Sequence, residues 1–453
     1  MRTDAPETPP IALTIAGSDS GGGAGIQADL ATMAAHDVYG TSAITAVTAQ
    51  HSRGVERSYP LPLEEVEAQL AAVTDDFDVG AAKTGMLATT EIVRAVASEA
   101  ASFEFPLVVD PVMVATSGDR LLEPAAERAY EELIGESRVV TPNADEAEVL
   151  TDVVVEDQPS AIEAGDALLE LGADAALIKG GHVPGETISD VLVTATGTTT
   201  FEHARVDTDA THGSGCTLAA AVAARLARDE SLEAAVGGAT DFLTRAVRYH
   251  YDVGRGPGAV NHGVEQRNRA TMEVTAESIR AAVDRIVEAD ITPLVPEVGT
   301  NVVGATPYAE SLEEIAAVEG RITRTLAGIS SNGAVRFGAS RNVARFVLDA
   351  REVCPNVRFA CNLRFNADVE HALEELEWTT AELERDRDAE ADAETDEWVA
   401  PAAVESLFDG DSGHPIAVVD RGAVGKEAMT YLVATESETL ADRVLALSEQ
   451  FGE

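Results

Sequence analysis

The chain has little basic charge, and lysine is nearly absent from it. Of its 453 residues, 32 are Lys or Arg and 79 are Asp or Glu, which gives a formal net charge of −47 at pH 7. The lysines are Lys83, Lys179 and Lys426. An acidic excess of this size argues against binding to nucleic-acid phosphates, because such binding depends on basic side chains.

The acidic residues are spread along the whole chain rather than gathered in one tail. This distribution argues against an acidic surface for basic partners such as histones. Like charges repel one another and destabilise the compact state, and strong salt screens that repulsion. We therefore predict a protein from a cytoplasm of multimolar salt, as in salt-accumulating halophiles.

Long apolar runs and cysteines are also scarce. No segment reaches the ~18 to 20 apolar residues of a membrane helix, and residues 1–10 lack the apolar core of an export signal. Cys216, Cys354 and Cys361 are too few and wrongly spaced for a disulfide framework or a zinc cluster. We expect a reduced cytoplasmic protein without a membrane partner, and we also expect a homo-oligomer.

Apolar, β-rich segments alternate with Ala-rich amphipathic segments in the first half of the chain. The predicted strands are 11–17, 41–49, 79–86, 105–113, 138–143, 175–181 and 189–195. Helices are predicted between them, for example at 26–36, 63–75 and 90–101. This alternation predicts a layered α/β fold with a largely parallel sheet.

The alternation breaks at 251–270, which is rich in glycine and charge, and a new helix is predicted to begin near Thr275. We place a boundary there, between a domain at 1–265 and a domain at 272–453. Strands and helices resume in the second domain. The acidic run at 382–397 is predicted to be a solvated surface insertion.

Residues 211–216 read THGSGC and precede an Ala-rich run that favours a helix; we call them the anion loop. Glycines let the backbone approach a phosphate, and the amides of a helix N-terminus bind anions. Cys216 lies at that terminus, where the field of the helix favours a thiolate and thus a proton acceptor. The alternative is a small buried cysteine beneath the helix cap.

A second glycine-rich segment, the glycine loop at 17–25, follows the first predicted strand. Gly23, Gly25 and Ala28 have the spacing of a dinucleotide fingerprint. The loop is longer than a Rossmann turn, however, and the next strand ends at Gln50 instead of at an acid, so a nicotinamide cofactor is not favoured. A full Walker sequence is also absent, since Lys426 follows GAVG and precedes a glutamate.

Eight segments between Ile11 and about His262 occur in an order typical of one enzyme family. They are AGSDSGGGAGIQADL, TAVTAQHSRGV, KTGML, DPVM with SGD, TPNADEAEVL, KGGH, THGSGC and GRGPGAVNH. In these segments the chain resembles the hydroxymethylpyrimidine and phosphomethylpyrimidine kinases of thiamine biosynthesis. The resemblance implies a ribokinase-like three-layer α/β kinase domain, followed here by a second, smaller α/β domain.

The same resemblance implies the chemistry. ATP and Mg²⁺ would be the cofactors, and the small-molecule substrates would be hydroxymethylpyrimidine and its monophosphate, phosphorylated in two successive transfers. A hydroxyl attacks in the first transfer and a phosphate oxygen in the second. A pyridoxal-type kinase on the same fold is the lesser alternative.

Four residues are expected to bind the pyrimidine, because they match the substrate pocket of this family: Asp29, Gln50, Met86 and Val112. Gln50 offers both a donor and an acceptor to the edge of an aminopyrimidine, and Met86 offers a polarisable sulfur to its ring. Without the resemblance, Asp29 is an exposed helix acid and Gln50 a strand-end cap. Met86 and Val112 are then ordinary core residues.

The phosphates and the metal are expected at other positions. Asn143 and Glu146 have the NxxE spacing that organises magnesium in ribokinase-like enzymes, and Asp110 follows a predicted strand where open α/β sheets place their sites. The predicted metal residues are therefore Asp110 and Glu146. The nucleotide is expected at Lys179, Thr211 and Asn143, and the transferred phosphoryl group at Gly213, Ser214, Gly215 and Cys216.

The second half resembles the archaeal-type thiamine-phosphate synthase domain. The segments that carry the likeness are LVPEVGTN, VEGRITR, FGASRNVAR, NLRFN and DRGAVGKEAM. Such an enzyme joins the pyrimidine diphosphate to a thiazole phosphate and releases pyrophosphate. Arg321, Arg341, Arg345 and Lys426 are the candidates for phosphate contacts. The alternative for each arginine is a surface partner for the abundant acids.

One position departs from the pattern of that family. Catalytic members carry histidine after the GAS segment, whereas this chain has Asn342. An asparagine side chain forms hydrogen bonds but does not exchange protons as imidazole does. Two hypotheses therefore stand for the second half: a second enzyme site, or a module that binds thiamine phosphates and regulates the kinase.

Overall fold

The computed structural model describes residues 6–113, 127–183, 185–383, 401–408, 414–423 and 426–451. The chain divides into two compact units, residues 1–266 and 267–453. The division falls within a single helix, α9, which spans Val264–Glu288. The predicted start of this helix near Thr275 is therefore wrong. Residues 265–270 are charged and helix-forming, and they extend the helix towards the N-terminus although they carry no apolar stripe.

The first unit contains a nine-stranded sheet with the strand order β3-β2-β1-β4-β5-β6-β7-β8-β9. The strands are β1 Ile11–Ser18, β2 Tyr39–His51, β3 Gly54–Pro60, β4 Ala81–Thr84, β5 Leu107–Val109, β6 Val139–Val140, β7 Ala175–Ile178, β8 Thr187–Thr194 and β9 Gly197–Ala204. The pairs from β2 through β7 are parallel, whereas β3, β8 and β9 pair antiparallel with their neighbours. The predicted largely parallel α/β sheet is confirmed.

The helices of this unit are α1 Gly25–Ala35, α2 Leu63–Thr74, α3 Thr90–Ala100, α4 Glu127–Ile134, α5 Ala144–Thr151, α6 Gln158–Glu170, α7 Ser214–Leu226 and α8 Leu232–Arg248. Helix α7 packs against β1, β4 and β5 and also against α1 and α8. Its residues 219–224 are fully buried. Small alanine side chains let the helix lie close to the sheet, and this places the N-terminus of α7 at the ends of the parallel strands.

Continuous burial distinguishes the central strands from the edge strands. Residues 12–17 of β1 are all buried, as expected for a strand covered by helices on both faces. The edge strand β3 reads GVERSYP and is mostly exposed. Strands β3 and β9 were not predicted, because neither has the apolar run of a buried strand.

The second unit has its own seven-stranded sheet, in the order β14-β11-β10-β15-β18-β17-β16, and a separate β12-β13 hairpin. The strands are β10 Val302–Ala305, β11 Ile315–Val318, β12 Ile322–Thr325, β13 Gly328–Ser331, β14 Val335–Phe337, β15 Phe359–Arg364, β16 Thr380–Glu382, β17 Ala417–Asp420 and β18 Met429–Ala434. Besides α9, the helices are α10 Asn342–Val353, α11 Ala367–Glu375, α12 Pro401–Phe408 and α13 Ser437–Glu449.

Two apolar cores form on the two faces of this second sheet. Ile279 of α9 and Val444 of α13 belong to one core, and Phe346 of α10 and Phe408 of α12 belong to the other. Neighbouring strand residues alternate between the two cores because successive side chains point to opposite faces. The second unit is thus also layered α/β. The predicted acidic insertion lies outside the described residues from position 384 onward.

In the part of the chain that the structure describes, no helix is both long and apolar enough to cross a membrane. This agrees with the scarcity of long apolar runs in the sequence.

The charge of the chain predicts that its stability depends on salt. We expect the urea midpoint of unfolding to rise as KCl is increased from about 0.1 M to about 1 M, because the Debye length falls from about 10 Å to about 3 Å and screens the acidic surface. Circular dichroism measures the midpoint, and sucrose of equal osmolarity is the control for general solute effects. A midpoint that does not change with KCl would contradict the prediction.

Candidate active site

A cavity of 1190 Å³ opens in the first unit at the carboxyl ends of the parallel strands. Its wall includes Ser18 at the end of β1, Gln50 near the end of β2, Asp110 just after β5 and Lys179 just after β7. Open α/β sheets bind their ligands at this edge, because the loops that leave parallel strands meet there. Of the residues predicted for the first half, all except Asp29 line this cavity.

Asp19 organises the glycine loop at one end of the cavity. Its Oδ1 accepts a hydrogen bond from Gly21 N at 2.7 Å, and its Oδ2 accepts from Gly23 N at 3.1 Å and Ala24 N at 2.9 Å. Burial opposes ionisation, but hydrogen bonds from His212 and from these amides outweigh it and lower the pKa of Asp19. The sequence analysis missed this residue. An aspartate just before a glycine run is a signal for such a turn.

Three of the predicted pyrimidine residues do line the cavity together: Gln50, Met86 and Val112. Met86 is buried, and it and Val112 belong to one small apolar cluster. The Met86 methyl carbon lies 2.3 Å from the position that a Cβ would take at residue 17, so Gly17 leaves the room for it. Contact between these residues and a substrate stays a prediction.

The structure corrects the prediction for Asp29. This side chain is fully buried and does not line the cavity; Asp29 Oδ1 lies 3.0 Å from Lys83 Nζ, and Oδ2 accepts a hydrogen bond from Thr14 at 2.6 Å. Asp29 shares the buried face of α1 with Ile26 and Met33, and this helix packs on β1 and β2. Burial disfavours the charge of Lys83, but Asp29 outweighs this effect and raises its pKa. Lys83 is therefore a buried cation beneath the cavity that the sequence analysis did not identify.

The anion loop leads into α7. Gly213 is the N-cap residue of this helix and has φ +85°, which favours glycine. Ser214 N already donates to Thr211 O at 3.0 Å. Gly215 and Cys216 therefore offer the first-turn amides that no carbonyl of the helix can accept. An anion above this helix end would receive its hydrogen bonds from them.

The predicted thiolate state of Cys216 is wrong for the unliganded protein. Burial raises the pKa of the Cys216 thiol to about 11, and the charge of Lys83 only partly offsets this effect. The favourable field of a helix N-terminus amounts to about half an elementary charge, which is too small to overcome burial beside Asp29 and Asp110. At neutral pH the residue is a thiol.

Lys179 lies near two carboxylates, those of Asp110 and Glu146, beside the anion loop. Its Nζ lies 3.0 Å from Asp110 Oδ1 and 3.8 Å from Glu146 Oε2. Burial disfavours the charge of Lys179, but the two carboxylates raise its pKa. Burial and the nearby charge of Asp110 raise the pKa of Glu146 to about 7, against the effect of Lys179. The pair of carboxylates thus carries more negative charge than one lysine neutralises.

This excess negative charge fits a divalent cation. Among the described residues no group of three or more His, Cys, Asp or Glu side chains could hold a metal. Magnesium needs no such group, because it keeps several waters and takes one or two carboxylates together with substrate phosphates. Asp110 and Glu146 fit this pattern.

The NxxE motif has a local folding role that the sequence analysis did not assign. Asn143 Oδ1 accepts a hydrogen bond from Glu146 N at 2.8 Å, and Glu146 Oε2 accepts one from Asn143 N at 2.9 Å. This is a capping box at the N-terminus of α5. Both side chains thus bind backbone amides, and the expected roles of Glu146 at a metal and of Asn143 at a nucleotide stay predictions.

The sequence analysis missed an apolar part of the cavity wall. Apolar side chains line it: Val149, Ile188, Val206, Leu218, Leu243 and Val247. The Arg205 guanidinium donates to the carbonyl oxygens of Gly181, Val183 and Gly185 at 2.6 to 2.9 Å and holds the loop between β7 and β8. Strand β9 carries Arg205 at its end, and that strand was not predicted.

In the second unit the predicted phosphate residues are exposed. Arg321, at φ +65°, donates from Nη1 to Val298 O at 2.6 Å. Glu427, the neighbour of Lys426, accepts hydrogen bonds from Glu297 N and Val298 N at 2.9 to 3.0 Å for the first and 3.4 Å for the second. Arg321 and the Lys426 segment thus meet at one loop, residues 296–299.

The other predicted residues of this unit lie at the start of α10. Asn342 is the first residue of that helix, and Arg341 immediately precedes it. Arg345 lies 3.5 Å from Asp349, one turn further along the same helix. The alternative role, a partner for an acid, therefore fits Arg345.

The Cys216 thiol is predicted to react slowly with iodoacetamide near neutral pH, with a rate that rises steeply only as the pH approaches about 11, because the thiolate is the reacting species. Peptide mass spectrometry follows the labelling of Cys216, and the urea-unfolded chain is the control. Rapid labelling of the folded chain with a midpoint near pH 7 would contradict the burial argument.

Replacing Glu146 by Gln is predicted to stabilise the protein more at about pH 8 than at about pH 5. The folded-state pKa of about 7 lies above the ordinary value of 4.5. The stability from this group is thus present below its unfolded pKa and is lost as pH rises through its folded pKa. Urea unfolding at constant ionic strength measures the difference from wild type. Glu148→Gln, on an exposed position of α5, is the matched control, and a difference that is equal at both pH values would refute the prediction.

Comparisons with known proteins show which families the chain resembles. A family model described as phosphomethylpyrimidine kinase matches residues 19–261, and one described as thiamine-phosphate synthase ThiN matches residues 278–446. The hydroxymethylpyrimidine/phosphomethylpyrimidine kinase of Streptomyces coelicolor is 48% identical over 259 residues, which are 57% of this chain and 96% of that protein. The thiamine biosynthesis bifunctional protein ThiED of Geobacter sulfurreducens is 43% identical over 252 residues, 55% of this chain and 51% of that protein.

Solved structures confirm the predicted ribokinase-like fold. The Bacillus subtilis pyridoxal kinase in an ADP complex has a TM-score of 0.53 and 36% identity, covering 56% of this chain and 98% of that chain. The Staphylococcus aureus pyridoxal kinase with AMP-PCP and pyridoxal has a TM-score of 0.53 and 32% identity, covering 57% of this chain and 94% of that chain. Since the kinase model spans more than half of the sequence and includes most of the cavity residues, the chain belongs to the phosphomethylpyrimidine kinase family.

Proposed function

We propose that the first domain, residues 1–265, transfers phosphoryl groups from ATP to hydroxymethylpyrimidine and then to its monophosphate. The observation that carries this proposal is one cavity whose wall includes Gln50, Met86 and Val112 together with the anion loop, Lys179, Asp110 and Glu146. The relatives named as kinases of these compounds support the substrate class. Those solved with ADP or AMP-PCP support a nucleotide.

The predicted phosphate and metal residues of the cavity have separate proposed roles. The amides of Gly215 and Cys216 hold the transferred phosphoryl group, and Lys179 neutralises nucleotide phosphates. Asp110 and Glu146 would hold Mg²⁺, which supplies charge neutralisation for the phosphates. Asn143 supports Glu146 through the capping box, and Thr211 orders the anion loop through its carbonyl. The apolar residues of the cavity wall suit a purine base.

Cys216 is the proposed proton acceptor for the first transfer. The attacking hydroxyl forms a bond to phosphorus, the bond to ADP breaks, and the hydroxyl proton passes to the sulfur. Because the pKa of this thiol is about 11, only the small thiolate fraction is active at neutral pH. The second transfer starts from a phosphate that is already largely ionised, so it depends less on a base.

We therefore expect kcat of the first transfer to rise by up to about tenfold per pH unit below the thiol pKa, and kcat of the second to rise less. Cys216→Ala is expected to remove the pH dependence of the first transfer and to slow it more than the second. Single-turnover assays with each substrate measure both rates, and Cys354→Ala is the matched control. Equal losses in the two transfers would contradict a base at this position.

The function is tested by supplying purified protein with ATP and Mg²⁺ in multimolar KCl and separating the phosphorylated products of hydroxymethylpyrimidine, its monophosphate and pyridoxal. The proposal predicts the monophosphate and diphosphate of the pyrimidine. Faster turnover of pyridoxal would favour the pyridoxal-type alternative, which the likeness to pyridoxal kinases makes a direct competitor. The predicted halophile origin implies that activity requires KCl. This requirement and the oligomeric state can be measured on the same preparation.

For the second domain, residues 272–453, we propose coupling of the pyrimidine diphosphate to thiazole phosphate, which gives thiamine phosphate and pyrophosphate. The match to the synthase family over residues 278–446 supports this proposal. Arg321 and Lys426 lie where two segments meet at the loop 296–299 and are the proposed phosphate contacts. The alternative is a module that binds thiamine phosphates without forming them.

Asn342 distinguishes these two hypotheses. We expect the wild-type chain to form thiamine phosphate and Asn342→His to form it at least about tenfold faster, because imidazole exchanges protons at neutral pH. Chromatography of the product measures both rates, and Asn356→His, at an exposed position beyond the C-terminal end of α10, is the control for a histidine placed elsewhere on the unit. If neither protein forms product while the kinase domain is active in the same sample, the binding module is favoured.

A further inference from the structure

The glycine loop and the anion loop are connected by one side-chain pair. His212 Nε2 lies 3.3 Å from Asp19 Oδ2, and the Asp19 side chain is only 2% exposed. The same carboxylate accepts hydrogen bonds from amides of the glycine loop, and its pKa is held low. An ionised carboxylate only accepts hydrogen bonds, so His212 Nε2 carries a proton and donates a hydrogen bond to Asp19.

The backbones of the two loops are also in close contact. A Cβ at Gly213 would lie 1.9 Å from the carbonyl oxygen of Gly23, and a Cβ at Gly23 would lie 2.6 Å from the His212 ring. Real Cβ atoms do not approach other atoms this closely, so the two loops pack against each other with no room for a side chain at Gly23 or Gly213. A movement of one loop towards the other therefore displaces it.

A third segment, residues 258–262, binds the backbone of His212. Val260 N donates to His212 O at 3.3 Å, and Asn261 N donates to Ala246 O on α8 at 3.0 Å. His262 is buried, and burial together with the nearby His212 lowers its pKa to about 4, so it is neutral. The histidine of the anion loop is thus held against Asp19 by a neutral, anchored segment.

The glycine loop is tied in turn to the predicted pyrimidine residue Gln50. The Ser20 hydroxyl donates to Gln50 O at 2.7 Å and accepts from Gln50 N at 2.8 Å. A continuous series of bonded residues therefore runs from Gln50 through Ser20 and Asp19 to His212, and from there into the N-terminus of α7.

We infer that His212 is a positioning residue that couples binding of the pyrimidine to binding of the nucleotide. The inference rests on the proposed function, because it takes Gln50 as the pyrimidine contact and the amides of α7 as the phosphate contact. A pyrimidine that fixes Gln50 also fixes the glycine loop, and through His212 it orders the anion loop before the nucleotide arrives. The nucleotide then loses less conformational entropy on binding. By linkage, the nucleotide strengthens pyrimidine binding by the same factor.

The test is a set of titrations with AMP-PCP and Mg²⁺, each in the absence and in the presence of saturating hydroxymethylpyrimidine. For the wild type we expect the pyrimidine to tighten the Kd of the nucleotide by about tenfold. For His212→Leu we expect this ratio to fall to about one, and for His212→Gln, whose carboxamide can still donate to Asp19, we expect most of it to return.

His203→Leu is the matched control. His203 Nε2 lies 3.6 Å from Asp190 Oδ2, and both residues line the same cavity. This pair is not part of the series from Gln50 to α7. We therefore expect its loss to leave the ratio of the two Kd values at the wild-type level, whatever it does to nucleotide affinity itself.

The outcomes separate the inference from the proposed function. A ratio of one in the wild type, or a wild-type ratio in His212→Leu, would overturn the inference while leaving the kinase proposal intact. A merely structural role of His212 would weaken both Kd values without changing their ratio, which also overturns it. If the wild type binds the nucleotide but not the pyrimidine, the proposed function fails, and the inference fails with it.

Discussion

A fully buried lysine and a largely buried one pair with acids at the carboxyl edge of the parallel sheet, and the candidate site depends on them. Lys83 lies beneath the cavity with Asp29, and Lys179 lies in its wall between Asp110 and Glu146. Removing one partner of a buried ion pair leaves an uncompensated charge and costs about 3–5 kcal/mol. In a chain with a net charge of −47 and three lysines, two of the lysines neutralise acids at this one edge. The acids at the edge where phosphates would bind are thereby partly neutralised.

The neutralisation is incomplete, and this favours the Mg²⁺ ion that we propose at this site. Glu146 keeps a pKa of about 7 although Lys179 is near it, because burial and Asp110 act in the opposite direction. The same environment keeps Cys216 protonated, since a second negative charge beside these carboxylates is unfavourable. The raised pKa of Glu146 and the raised pKa of Cys216 thus have the same cause, burial beside other carboxylates. Binding of substrates and Mg²⁺ would therefore change the pKa values of Glu146 and Cys216 together.

The sequence allowed much of this architecture to be predicted. Runs of apolar, β-branched residues identified the central strands, and the anion loop was found because glycines precede an Ala-rich helix. Asp29 could not be placed correctly, since a helix acid facing the core and one facing solvent look alike in one sequence. The role of Lys83 was overlooked, although the scarcity of lysine in the chain was visible. The Asp19–His212 pair joins residues 193 positions apart, and no local pattern reveals such a contact.

The central claim is that Lys179 neutralises the acids of the site and receives the nucleotide phosphates. Calorimetric titration of Lys179→Met with ADP and Mg²⁺ tests it most directly, beside the wild type and an Arg138→Met control, which removes a surface ion pair with Asp174 outside the cavity. The account predicts that Lys179→Met lowers nucleotide affinity by at least about tenfold, since an ion pair with phosphate is lost and two buried carboxylates lose their partner. Unchanged affinity in a folded Lys179→Met protein would contradict the account.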